Sequence, residues 1–182
     1  MQNLAFRVAT VSDIPQLLLL INSAYRQNLG QSWTNEANIV VGDRIHQQQL
    51  ENLISQPNHQ LLIAEIAHLG QSLIIACIGL NYLYSELEIG TFCIAPDWQN
   101  QGIGQRVLAY AERYSANYAV QHQMPLEYYV MWVLNVRNEL LAYYERRGYV
   151  LTGEIEAYPL DANVGQPTVA LHLVKMKKPI LM

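Results

Sequence analysis

The 182-residue sequence predicts a mixed α/β fold of the α+β kind: one twisted, mainly antiparallel sheet of about seven strands with helices on both faces. Three observations predict it. Apolar residues recur at helical spacing in four separate stretches. Between the second and third of these lies a run of apolar, β-branched segments broken only by short turns. Finally, one strand–helix–strand unit requires two parallel neighbouring strands, because a crossover helix returns the chain in the same direction.

The elements follow in order. Residues 3–10 alternate well enough for a first strand. Ser12 or Asp13 then caps a helix, with Pro15 tolerable in its first turn and Leu17, Leu20, Ile21 and Ala24 on one face. Residues 30–42, which include Trp33, are polar and irregular and read as a loop. Ile45, Leu50, Leu53 and Ile54 give a second helix, stopped by Pro57. The segments 60–66, 72–84 and 87–95 form an antiparallel meander, the first turn being of hairpin size. Ile103, Val107, Leu108, Ala111 and Tyr114 stripe a long helix from 102 to 118. A strand at 126–134 completes the crossover. Asn138 caps a short helix that Gly148 ends, and 149–155 and 168–178 close the sheet. No repeat or linker interrupts the chain, so one domain over 1–182 is expected.

Composition excludes several functions. With 51% hydrophobic and 14% charged residues the chain has a packed core, and a net charge of -4 offers no surplus to neutralise nucleic-acid phosphates. Cys77 and Cys93 both lie in apolar runs, as buried thiols of a reducing compartment do. The apolar run 17–21 is too short to span a membrane, and the N-terminus lacks the basic start of a signal peptide. A cytoplasmic protein without membrane or nucleic-acid partners is expected. The five histidines show no metal-ligand spacing, so no metal is expected.

The most informative stretch is Gln99-Asn100-Gln101-Gly102-Ile103-Gly104 at the mouth of the long helix. A helix start leaves backbone N–H groups unpartnered and carries the positive end of the helix dipole. Glycines let that backbone approach a ligand, and amide side chains add neutral donors, so the segment reads as a phosphate seat. A tight turn with no ligand is the alternative. It is not a Walker loop, because Gln105-Arg106 follow Gly104 where Lys-Ser/Thr would stand, and Val107 replaces the third glycine of a dinucleotide fingerprint.

Together with a second block, Val133 to Tyr149, this motif resembles the GNAT superfamily of acyl-CoA N-acyltransferases. That family has Gln/Arg-x-x-Gly-x-Gly/Ala after a strand and, later, Tyr-x-x-x-Gly-Phe/Tyr, which Tyr144 and Gly148 match in spacing. The resemblance covers nearly the whole chain. It implies a sheet splayed at its central parallel pair, with acetyl-CoA in the gap as acyl donor. The pyrophosphate would meet Gln99, Asn100, Gln101, Gly102, Ile103, Gly104 and Gln105, and the pantetheine arm would lie along Phe92, Cys93 and Ile94. Arg137 stands at the loop where the family often places a CoA-contacting asparagine, while Asn138 reads as the helix cap. The family often has Gly where this chain has Asn100, a residue that tolerates left-handed angles. The turn carries no basic residue of its own.

The implied reaction is attack of a neutral amine on a thioester, in a ternary complex. Tyr144 matches the family's acid to the departing thiolate; as a bare pattern it is one of 12 tyrosines, and a core aromatic is the alternative. Tyr143, its neighbour, is expected to point elsewhere. A backbone N–H near Ile94 would meet the oxyanion. Glu88 stands where one branch of the family has a base. Six residues from Ile94 on one strand, it is expected to share that residue's face; a solvated glutamate is the other reading. The acceptor, a small-molecule amine or a protein amino group, is expected to contact loops 30–42 and 158–166. A homodimer is left open, as are a non-enzymatic acyl-CoA sensor and a longer acyl group.

Overall fold

Near-continuous apolar runs in strands signal burial on both faces, and the central strands of this protein are covered on both. The computed structural model describes residues 3–27, 35–68 and 70–181. Its elements are β1 (Ala5–Val8), α1 (Ile14–Arg26), β2 (Val40–Val41), α2 (Gln47–Ser55), β3 (His59–His68), β4 (Gln71–Tyr82), β5 (Glu86–Ile94), α3 (Ile103–Gln121), β6 (Tyr128–Leu134), α4 (Asn138–Glu145), β7 (Val150–Ala157), β8 (Gln166–Pro167) and β9 (His172–Pro179). Trp33 and the start of the 30–42 loop lie outside the described residues.

A seven-stranded sheet runs β1-β3-β4-β5-β6-β9-β7, antiparallel throughout except for the parallel pair β5 and β6. The last strand, β9, inserts between β6 and β7 and leaves β7 as an edge. Alternation along each strand feeds two cores. Leu62, Leu80, Leu87 and Ile89 pack with Ile103, Val107, Leu108 and Ala111 of α3 on one face. Leu61, Ile63, Cys77 and Cys93 pack with Leu17, Ile21 and Ala24 of α1 and Leu50 of α2 on the other. Leu17, Ile21 and Leu50 are wholly buried, each adding about 1.5–3 kcal/mol relative to exposure.

Several local expectations are corrected. Neither Ser12 nor Asp13 caps α1 by a side-chain bond. A short helical turn precedes α1, and the Asp13 carboxylate accepts from the Thr10 N–H at 2.7 Å and from Arg7 at 2.7 and 2.8 Å. Arg7 also reaches Glu65 across the sheet, joining β1 to β3. Asn138 is the first residue of α4 rather than its cap; Arg137 holds the cap position without a side-chain bond. The sequence pattern also missed a second, two-stranded sheet in which Val40 and Val41 pair with Pro167 and Gln166. This ladder joins the two loops in which acceptor contacts were expected. Arg26 locks it: buried against Glu36, it also donates to the Gly42 carbonyl at 3.0 Å and the Val164 carbonyl at 2.7 Å.

Candidate active site

The parallel pairing of β5 with β6 is short. Glu86, Leu87 and Glu88 meet Tyr128, Tyr129 and Val130, and there the pairing stops, although β5 runs on to Ile94 and β6 to Leu134. Beyond Glu88 the two strands part and leave a wedge. A bulge contributes to the parting. On β4 the register passes from Cys77 to Gly79, while on β5 it passes from Cys93 to Gly90, so one extra residue sits in β5. Thr91 absorbs it at φ 45°, an outlier for a β-branched residue and a form of local strain that clusters at functional sites.

The bulge overturns one expectation. An extra residue reverses the side-chain phase. Leu87 and Ile89 face α3 before the bulge, and Ile94 faces α3 after it, so Glu88 lies on the opposite, α1, face from Ile94. Glu88 accepts a long contact from Asn81 Nδ2 at 3.5 Å. Burial pushes its carboxyl above the usual range, and Glu156 and Glu86 add to the rise.

The mouth of α3 opens on the wedge. Asn100 takes φ 60° and Gly102 φ 73°, so the asparagine does adopt the left-handed turn. The first backbone bond of α3 runs from the Arg106 N–H to the Gly102 carbonyl at 3.3 Å. The N–H groups of Ile103, Gly104 and Gln105 precede it and have no place in the helical ladder. These residues, with Asn100, Gly102, Gln99, Phe92, Cys93 and Ile94, line a cleft of about 270 Å³. Gln99 Nε2 donates to the Ile94 carbonyl at 2.9 Å, tying the turn to the strand end. On β5 the Ala95 N–H is spent on the Ile75 carbonyl at 2.8 Å. Strand alternation therefore turns the Ile94 N–H away from β4, toward the parted side.

The opposite wall comes from α4, with Leu140, Tyr143 and Tyr144, and from the turn that follows it, with Arg147. Tyr144 is 8% exposed, packed edge-on to Tyr143 and Tyr149, and its phenol makes no hydrogen bond among the described residues. Burial pushes that phenol well up, which keeps it protonated. Contrary to expectation, Tyr143 lines the same cleft: α4 lies along the wall, and positions about 100° apart both reach it. Two other predicted residues stay outside. Gln101 donates to the Asp97 carbonyl at 3.3 Å, and Arg137 is turned to Glu139 and to the Asn35 carbonyl.

Trp98, Leu140 and Arg147 were not anticipated. Arg147 places a cation on the wall that faces the glycine turn. Its guanidinium carbon lies 3.4 Å from the Tyr143 ring centroid, and Nη1 donates to the Tyr143 carbonyl at 2.8 Å. Its buried Nε has no partner among the described residues. No group of His, Cys, Asp and Glu among the described residues has a metal-binding arrangement, and no helix there is long and apolar enough to cross a membrane.

Comparison with known proteins agrees with this fold. Solved structures share the fold at low identity. The ribosomal-protein-S18-alanine N-acetyltransferase of Escherichia coli is 14% identical, with a TM-score of 0.67 over 99% of this chain and 96% of that one. The spermidine N-acetyltransferase of Vibrio cholerae, solved with CoA and spermine, is 19% identical, with a TM-score of 0.66 over 97% and 95%. A GNAT family acetyltransferase of Elizabethkingia anophelis, solved with acetyl-CoA bound, is 18% identical, with a TM-score of 0.66 over 98% and 99%. No curated protein matches the sequence. A family model described as "Acetyltransferase (GNAT) domain" matches residues 57–151, which span β3 through α4 and include the glycine turn. By that match over half its length, the chain belongs to the GNAT acetyltransferase family.

Proposed function

We propose that this protein transfers the acetyl group of acetyl-CoA to a primary amine by direct attack in a ternary complex. The observation that carries the reading is the wedge between β5 and β6, with the start of α3 opening on it. Neighbours of the same fold that hold CoA or acetyl-CoA support the choice of donor.

Each residue then has a task. The N–H groups of Ile103, Gly104 and Gln105, with the α3 dipole, receive the diphosphate. Arg147 adds a charge-assisted contact from the facing wall. The parted edge of β5 at Phe92, Cys93 and Ile94 receives the pantetheine arm. Acetyl-CoA supplies an activated thioester. The Ile94 N–H stabilises negative charge on its carbonyl oxygen, as a preorganised donor in a dry cleft does. Glu88, at the last paired position before the strands part, accepts the proton that the attacking amine gives up; its raised carboxyl is matched to that task. Tyr144 gives its phenolic proton to the departing thiolate.

Thiol release from acetyl-CoA across a panel of amines tests the reading. The expected result is release that depends on an acceptor and yields one acetamide per thiol. Acetyl-CoA binding without acceptor-dependent release from any amine in the panel would contradict it, and would favour a non-enzymatic sensor.

A further inference from the structure

Three arginines near the sheet and its loops have carboxylate partners: Arg7 with Asp13 and Glu65, Arg26 with Glu36, and Arg137 with Glu139. Arg44 does not. Among the described residues its side chain meets no carboxylate and makes no hydrogen bond; only its backbone N–H donates, to Asn22 Oδ1 at 2.8 Å. The neighbouring Asp43 is turned to His46 at 3.8 Å. Yet Arg44 is half-buried, with its guanidinium carbon 5.3 Å from the Tyr25 ring centroid. A cation withdrawn from water without a counter-charge is unfavourable, and the ring face recovers only part of that cost.

The position of Arg44 connects this to the wedge. Tyr25 donates its phenol to the Phe92 carbonyl at 3.1 Å, and Phe92 lines the cofactor cleft. Arg44 is therefore one tyrosine ring removed from the strand where acetyl transfer would occur, on the α1 side. Glu88 faces that same side. The charge of Arg44 opposes the burial-driven rise of the Tyr25 phenol, which agrees with its closeness. One positive and one negative group on the acceptor side of β5 match a molecule carrying both an amine and an acid.

We propose that Arg44 binds a carboxylate of the acceptor, and that the acceptor is a small amine that also carries a carboxylate, an amino acid or a close analogue. The proposal rests on the acetyl-transfer reading above. A guanidinium seated on a ring keeps its edge N–H groups available, and that edge matches a carboxylate in a bidentate pair. The amine of such an acceptor would then extend toward the β5 edge.

The test uses the full chain, acetyl-CoA, and a panel of the standard amino acids, their carboxamides and spermidine, with wild type, Arg44→Gln and Arg44→Lys. Amino acids should be used better than their carboxamides. Arg44→Gln should raise KM for the acids roughly tenfold to a hundredfold, with kcat and acetyl-CoA affinity little changed and no effect on carboxamides. Arg44→Lys should recover part of the loss. The Arg44 side chain holds no other element by hydrogen bond, so both variants should fold. Preference for spermidine or carboxamides, or an equal loss on acids and amides, would overturn the proposal. If no amine in the panel is acetylated, or acetyl-CoA does not bind, the acetyl-transfer reading itself fails and this proposal with it, an outcome distinct from the wrong acceptor preference that would overturn the proposal alone.

Discussion

Replacing Gly102 by Ala should separate the stability of the glycine turn from its function. Gly102 holds φ 73°, and a Cβ there would meet nothing within 4 Å. The space is open, so the cost to the fold is conformational. A left-handed L-residue costs about 1–2 kcal/mol, offset by about 0.4–1 kcal/mol from a stiffer unfolded chain. The net loss is about 1 kcal/mol, which at this length lowers Tm by about 2–4 °C. The functional cost is larger, because the same open space borders the cleft and the new methyl stands where the diphosphate would approach. Loss of one charge-assisted N–H contact, about 1.5–3 kcal/mol, weakens CoA binding roughly tenfold to 150-fold. Gly104→Ala is the control. Its Cβ would lie 3.4 Å from Tyr143 Oη and 3.8 Å from Ile94 and Phe92, ordinary contacts, at an in-helix position. Ala is favoured over Gly in a helix by about 0.8–1 kcal/mol. This variant should keep or raise Tm and bind CoA within about threefold of wild type. Thermal unfolding without cofactor and calorimetric titration with CoA measure both quantities. Wild-type CoA affinity in Gly102→Ala, alongside the expected fall in Tm, would refute the reasoning.

Tyr144→Phe removes a phenol that makes no hydrogen bond among the described residues, so Tm and acetyl-CoA affinity should hold while kcat falls about 10²-fold or more, the scale of general acid catalysis; unchanged kcat would take Tyr144 out of the acid role. Glu88→Gln should remove the acidic limb of the kcat/KM profile, and in wild type that limb should lie above the ordinary carboxylate range because burial raises Glu88; a limb that survives the substitution would assign the proton to another group. Stability should also depend on acid through Asp13, which hydrogen bonding to Arg7 holds at about 2, below its usual 3.8. A depressed carboxyl stabilises the fold above its unfolded pKa and loses that contribution as pH falls through the folded value. Asp13→Asn should therefore cost about 1–2 kcal/mol near neutrality, reduced by the solvent exposure of Arg7, and almost nothing near pH 2. A penalty that does not change with pH would show that the pair is not the cause.

The parts of this fold that announce themselves in sequence are those set by local chemistry. The meander is legible because both faces of β3 and β4 are buried, which makes their runs apolar. The start of α3 is legible because Asn100 and Gly102 must take left-handed angles, and few residues do so readily. What escaped depends on register and tertiary placement. The bulge at Thr91 reverses the phase of β5, and only Gly90 beside it hinted at an irregular strand. Without that reversal Glu88 reads on the wrong face. Arg147 carries no sequence signal of its role; its place in the cleft comes from the turn that follows α4. Arg137 stands in the expected loop, but Glu139 and the Asn35 carbonyl hold it elsewhere, and no spacing rule encodes that choice. The β2–β8 ladder has only two residues on each side, too few to leave a period.

The central claim is that CoA is seated by the backbone at the start of α3, beside the parted edge of β5. A backbone amide NMR titration with CoA tests it most directly. The account predicts that the largest shifts fall on the amides of Ile103, Gly104, Gln105 and Ile94, with the exposed edge strand β7 undisturbed. Saturating CoA that leaves those four amides unmoved, or shifts centred on β7, would contradict it.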